Sequence, residues 1–329
     1  MNKILLNPGP TNTTTKTKME QWIGSDVCHR TKDFTLLLEN TKNLLLKEFG
    51  VNSTSDEWHV SILAGSGTTA LESMISSLAT SDFNIVDAGK YGLRARKIFE
   101  IYNIPHEKQI SNDITDLVGN IGKSKIYFVE NETSTGEKYD LPVMAERYPN
   151  ARFYIDATSA FGATNYSEYI ERIDAISFCA NKCLQSTPGL GIVIWRKSIK
   201  VIERNHFLNL NLYKEKGKIP FTLPTQSVSA LHSALSQNKG KKMDKLFDER
   251  KRRIISDFTK MGIECSNKNP SNTVIAFRHP IMEYDELVRF LEERGVVIYS
   301  GIPGVKKSFR VSTMSSIFDS CYEVIISIF

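Results

Sequence analysis

Lys182 stands in the run Ser177-Phe178-Cys179-Ala180-Asn181-Lys182-Cys183, between two apolar stretches of strand character, residues 174–179 and 190–195. An amine held between buried strands is desolvated. Desolvation favours the neutral form, whose lone pair attacks carbonyl carbon. A lone loop lysine is more often solvated, but three other groups here suit the same kind of ligand. Gly65-Ser66-Gly67-Thr68-Thr69 can cradle an anion, Tyr91 can stack on a flat ring, and Asp156 can pair with a cationic ring nitrogen.

Each of these groups needs a particular local structure. The Gly65–Thr69 run follows a short strand pattern, residues 59–63, and precedes a helical one reaching about residue 78. A strand, a glycine turn and a helix N-terminus together present free N–H groups and about half a positive charge to an anion. The pattern is neither a Walker A nor a G-x-G-x-x-G motif. Taken alone it also fits a tight turn with Ser or Thr as helix cap. Tyr91 lies in Gly89-Lys90-Tyr91-Gly92 after the strand 84–87; by itself it fits a core tyrosine equally. Asp156 ends the apolar strand 152–156, where a helix-capping aspartate is also common. Its burial would cost several kcal/mol unless a cation faced it. Between them lies Glu130-Asn131-Glu132-Thr133-Ser134-Thr135-Gly136, a dense set of hydrogen-bonding groups after the strand 125–129.

The alternation of strand and helix patterns from 59 to 195 predicts an α/β fold with a mostly parallel sheet between helices. Gly67, Tyr91, Thr133, Asp156 and Lys182 all fall just after strands, so they should converge on one sheet edge, where ligands of open α/β sheets sit. Residues 204–217 read as a polar loop. Helices over about 225–236, 241–261 and 284–293, strands over 273–277, 296–299 and 309–312, and a final helix then predict a smaller C-terminal α/β domain. The expected division is 1–18, an N-terminal segment packing near the active site; 19–239, the large domain; and 240–329, the small one. Asn7-Pro8-Gly9-Pro10 is stiff and can drape over a surface in one shape. Arg30 can bind an anion, or simply be a solvated arginine at a helix entry.

With 329 residues, 41% hydrophobic and 24% charged, the chain has ordinary globular composition. The net charge of +5 is dispersed apart from basic runs at 239–242 and 250–253, which suit solvated helix faces. No nucleic-acid module accompanies them. Five irregularly spaced cysteines suggest neither a disulfide framework nor a zinc site, and six scattered histidines show no ligand spacing, so no metal is expected. No apolar stretch is long enough for a membrane span or a signal peptide, and a cytoplasmic protein is the expectation.

These residues resemble the class V aminotransferases, a branch of the fold-type I enzymes that use pyridoxal 5'-phosphate (PLP). Within them the chain resembles most the group acting on 2-aminoethylphosphonate and pyruvate. The resemblance runs through Asn7-Pro8-Gly9-Pro10, Ser66-Gly67-Thr68, Tyr91-Gly92, Glu132-Thr133-Ser134-Thr135-Gly136, Asp156, Ala180-Asn181-Lys182-Cys183, Pro188-Gly189, Phe221-Thr222 and Phe309-Arg310. It implies that Lys182 holds the cofactor covalently and shuttles the proton, while Asp156 keeps the pyridine nitrogen protonated. Ser66, Gly67 and Thr68 would hold the phosphate, Tyr91 would stack on the ring, and Thr133 would lie near the phenolic oxygen. Thr158 and Asn181 complete the implied cofactor shell. Thr222 would reach the partner subunit's cofactor, which implies a homodimer with shared active sites. Arg310 would clamp a substrate carboxylate, with Arg30, Pro8 and Gly9 nearby.

The implied reaction is ping-pong transfer between 2-aminoethylphosphonate, or its aldehyde phosphonoacetaldehyde, and an alanine/pyruvate-type pair. Alternatives are an alanine–glyoxylate or serine–pyruvate transaminase, a cysteine desulfurase or lyase, and a non-catalytic phosphate-binding module. A desulfurase usually has histidine before the lysine, where this chain has Asn181. Departures from the family pattern at His206, Asn211 and Val311-Ser312-Thr313 bear on substrate rather than cofactor.

Overall fold

Runs of β-branched and aromatic residues, buried on both sides, build the central strands. Ile173–Cys179 is buried at all seven positions and Leu190–Arg196 at all but the last, as expected for the middle of a sheet covered on both faces. The computed structural model describes residues 3–23, 27–51, 56–111, 113–117 and 124–329. Seven strands form the large sheet: β1 (Trp58–Ala64), β2 (Phe83–Asp87), β3 (His106–Ile110), β4 (Lys125–Val129), β5 (Arg152–Asp156), β6 (Ile173–Cys179) and β7 (Leu190–Arg196). Their order is β1-β7-β6-β5-β4-β2-β3. Only β7 runs against its neighbours, with Leu190 opposite Ala64 and Gly191 opposite Cys179. This register brings the turn after β1 and the segment between β6 and β7 to one edge, where the Gly65 amide donates to the Gly189 carbonyl at 2.8 Å.

Helices cover both faces. On one side α2 (Lys32–Glu48), α5 (Leu141–Arg147) and α6 (Thr225–Asn238) join a core with Phe34, Leu38, Trp58, Phe153 and Leu231. On the other, α3 (Gly67–Leu78) and α4 (Lys90–Ile101) pack through Leu71, Met74, Ile98 and Phe99. α1 (Thr15–Trp22) precedes α2 and is capped by the Thr14 side chain. The 204–217 segment is not wholly loop. Leu210–Tyr213 forms a 3-10 turn, with Leu210 and Tyr213 buried, and the Ser73 and Ser77 hydroxyls of α3 donate to the Leu208 carbonyl at 2.7 and 3.1 Å.

The rest forms a second sheet, ordered β8-β9-β11-β10 and antiparallel throughout, from β8 (Glu264–Cys265), β9 (Val274–Arg278), β10 (Tyr299–Ser300) and β11 (Ser308–Ser312). α7 (Met243–Lys260), α8 (Tyr284–Glu293) and α9 (Tyr322–Ile328) pack on it through Ile254, Phe258, Leu287, Leu291 and Ile325. Two expectations change here. Residues 296–299 are not one strand: Val296–Val297 pairs with Ile4–Leu5 from the chain's start, while Tyr299–Ser300 turns to β11. β3 was not foreseen at all, because His-Glu-Lys-Gln-Ile is an exposed edge strand with no apolar alternation. Among the described residues no helix is long and apolar enough to cross a membrane.

Candidate active site

Lys182 lies in a turn locked at both ends. The Ala180 amide donates to the Leu190 carbonyl (3.2 Å), Ser186 N to Ala180 O (3.0 Å) and Gln185 N to Lys182 O (2.8 Å). Gln185, at φ 56°, sends its side-chain amide to the Met314 carbonyl at 2.9 Å, tying the turn to the second sheet. The lysine stem packs under the N-terminal segment. A Cβ on Gly9 would lie 3.1 Å from Lys182 Cε, and Gly9 has φ +136°, so both the space and the backbone favour glycine there. Lys182 Nζ stands 5.8 Å from the Tyr91 ring centroid.

Beside it is an inner cavity of about 210 Å³ lined by Ser66, Gly67, Thr68, Tyr91, Arg94, Asp156, Thr158, Cys179, Asn181 and Lys182. One wall is the N-terminus of α3. The Ser66 amide is spent on Thr69 Oγ1 (3.0 Å), while the amides of Gly67 and Thr68 have no carbonyl within the helix to meet. Arg94 Nη1 donates to Thr68 Oγ1 at 3.0 Å, and the guanidinium lies 4.8 Å over the Tyr91 ring. The opposite wall carries Asp156, 4% exposed, whose Oδ1 accepts the Thr158 amide at 2.9 Å. Burial pushes the Asp156 carboxyl above the usual carboxylate range, against the hydrogen bonds from Thr158 and the charges of Lys182 and Arg94. A cation within the cavity would favour its ionised form.

The donor set is thus an amine, a buried carboxylate, an aromatic face and an anion cradle. It fits a planar ring with an aldehyde, a basic nitrogen and a phosphate, and PLP is such a group. The cavity opens past Lys182 and Tyr91 into an outer cleft of about 1170 Å³, reached also by Pro8, Gly9, Lys90, Ser134, Arg310 and the 301–306 loop.

Tyr91 is held by a residue that sequence reasoning did not single out. It belongs to the first turn of α4, and the buried Glu132 caps that turn: Oε2 accepts the Tyr91 and Gly92 amides at 3.0 and 3.1 Å, and Oε1 accepts the Ser134 hydroxyl at 2.5 Å. Burial raises the Glu132 carboxyl while these hydrogen bonds lower it. Ser134 Oγ in turn accepts the Lys90 amide at 3.0 Å. Arg310, on β11, reaches across to the large sheet. Its Nη1 donates to the Thr133 carbonyl and its Nε to Ser300 O at 2.5 Å. Desolvation lowers the Arg310 pKa from its ordinary high value.

Ser66, Gly67, Thr68, Tyr91, Asp156, Thr158, Asn181 and Lys182 therefore share the inner cavity, and Pro8, Gly9 and Arg310 line the outer cleft. Thr133 is buried and lines neither cavity; its carbonyl meets Arg310. Arg30 and Thr222 are exposed and line neither cavity of the protomer. Arg94 and Glu132 were not foreseen as site residues. Arg94 had a signal, since it follows Tyr91 by one helical turn and so shares its face.

No family profile matches the chain. It is 28% identical to a 2-aminoethylphosphonate–pyruvate transaminase of Bacteroides fragilis, over 95% of this chain and 94% of that protein. It is also 28% identical to a bifunctional phosphonoacetaldehyde hydrolase/aminoethylphosphonate transaminase of Clostridioides difficile, over 97% of this chain, and spans about half (55%) of that longer protein. Among solved structures, an aspartate aminotransferase of subgroup IV from Thermus thermophilus superposes with a TM-score of 0.88 at 23% identity, covering 98% of this chain and 97% of the other. The chain thus has the fold of these aminotransferases and is similar along nearly its whole length to curated transaminases.

Proposed function

We propose that the enzyme moves an amino group between 2-aminoethylphosphonate and pyruvate by ping-pong turnover. The observation that carries this reading is the likeness to transaminases of that name along nearly the whole chain, and the cationic outer cleft beside Lys182 agrees with acidic substrates. PLP, when bound, supplies an electron sink for the carbon that loses its proton. In this reading Lys182 would hold it covalently and would carry the proton taken from the substrate carbon. Asp156 would pair with a ring nitrogen and keep it cationic. Ser66, Gly67 and Thr68 hold the phosphate, with Arg94 adding a full positive charge. Tyr91 would stack on the ring, and Thr158 and Asn181 would close the walls. Arg310 takes the acidic head of the substrate, with Pro8 and Gly9 over the reacting amine.

The same reading includes a homodimer. Thr222 and Arg30, which line neither cavity of the protomer, would serve the partner's site, and Thr133 would serve the cofactor's phenolic oxygen. It also divides the chain at Gly240 and places the enzyme in the cytoplasm, a setting that suits its five free thiols. The test is a pair of half reactions followed by cofactor absorbance. 2-Aminoethylphosphonate should convert the aldehyde form to the amine form, and pyruvate should restore it. Faster conversion by serine or alanine with glyoxylate as acceptor would replace this substrate pair with another of the class.

A further inference from the structure

The two acids of the proposed reaction differ in charge. Pyruvate presents one negative charge, whereas a phosphonate resembles a phosphate monoester, at roughly −1.5 to −2 near neutral pH. Both must use one cleft in turn, and Arg310 is already committed in part, to the carbonyls of Thr133 and Ser300. The cleft holds three other cations. Lys182 is the reacting amine. Lys306 faces Glu283, 3.9 Å away. Lys90 lines the cleft beside Tyr91 and Ser134 and has no carboxylate within ion-pair distance among the described residues.

The backbone at Lys90 is fixed where such a charge is useful. Its amide is bound to Ser134 Oγ at 3.0 Å, and the next two amides are bound to Glu132. The carboxylate of Glu132 offsets the positive end of the α4 dipole, so this end of the helix has little attraction left for an anion. The ammonium of Lys90 is the charge that remains. Resting on the 2-aminoethylphosphonate reading, we infer that Lys90 is a specificity-determining residue of the donor half reaction, supplying the second positive charge that a phosphonate needs and a carboxylate does not.

Holoenzyme of the wild type, Lys90→Gln and Lys90→Arg would be compared in single-turnover half reactions with 2-aminoethylphosphonate, β-alanine and pyruvate, each at low and high salt. Lys90→Gln should raise the KM for 2-aminoethylphosphonate about fivefold to tenfold at low salt. It should raise those for β-alanine and pyruvate less than half as much. The gap should narrow with added salt, since the pair faces solvent, and Lys90→Arg should restore the preference. Equal losses on all three substrates, or no loss on the phosphonate, would overturn the assignment. If the wild type does not react with 2-aminoethylphosphonate while β-alanine or another amine converts it, the substrate reading itself fails, and this inference with it.

Discussion

Two cavities meet at Lys182, and they are bounded by different means. Most of the inner one is walled by residues at or just after the ends of β1, β5 and β6, together with the first turns of α3 and α4, so most of its positions are set by the ladder register of one sheet, and Gly9 and Pro10 of the N-terminal segment close it. The outer one has that edge on one side only. Its other side is the second sheet's: Tyr284, the 301–306 loop and Arg310. A wall fixed by a single sheet suits a group that stays bound through both half reactions. A wall contributed by a separate element, joined through hydrogen bonds such as Arg310 to Thr133 and Gln185 to Met314 and through a small apolar cluster around Cys183, Phe247 and Met314, suits ligands that enter and leave.

That division can be broken most severely at the point the cavities share. On the proposed function, Lys182→Ala should lower transamination by about 10⁴-fold or more, with loss of the cofactor band reducible by borohydride, because the proposed proton carrier and covalent tether are removed together. A residual rate within tenfold of wild type would remove Lys182 from the chemistry. Asp156→Ala belongs to the inner cavity alone. It should cost about 10³-fold in both half reactions while the phosphate cradle still retains cofactor, which dialysis followed by absorbance would measure. Unequal losses in the two half reactions would mean that Asp156 serves a substrate rather than the cofactor.

Arg310→Ala tests the outer wall. It should raise the pyruvate KM about 100-fold and leave cofactor content near stoichiometric, since Arg310 meets only outer-cleft and loop groups. Arg94→Met is the converse test. Its guanidinium bonds Thr68 and covers Tyr91, both of the inner cavity, so cofactor affinity should fall about tenfold with a smaller change in substrate KM. If Arg94→Met instead raised substrate KM alone, the line between the cavities would have to be redrawn around α4.

The same line separates what is legible in the sequence from what is not. Lys182, Asp156 and the Ser66–Thr68 turn each sit within a few residues of a strand whose apolar run announces it, so strand-end logic alone brings them together. The outer cleft has no such rule. Arg310 lies mid-strand in a different sheet and meets Thr133 across 177 positions of chain, a pairing no local pattern encodes. Glu132 reads as one more polar residue in a loop, because its task, capping α4, is performed 40 residues away. β3 was invisible because an edge strand facing water needs no apolar alternation. The split of residues 296–299 follows from the N-terminal Ile4–Leu5 taking half of that strand's pairing, a contact between opposite ends of the chain.

The smallest effect expected tests how firmly the second unit is joined to the first. Glu48 ends α2, which packs on the large sheet, and Asp244 lies in the first turn of α7, the helix leading into the second unit. Burial, and then the like charge of Asp244, push the Glu48 carboxyl up to about 7. The negative end of the α2 dipole acts in the same direction. The folded chain therefore keeps a proton on Glu48 that the unfolded chain releases nearer 4.5, so between these values stability falls as pH rises. Glu48→Gln should raise the Tm by about 2 °C at pH 8 and by nothing measurable near pH 4, and Asp244→Asn should give a smaller gain of the same sign. A gain independent of pH would mean that the carboxylate charge is not what strains this junction.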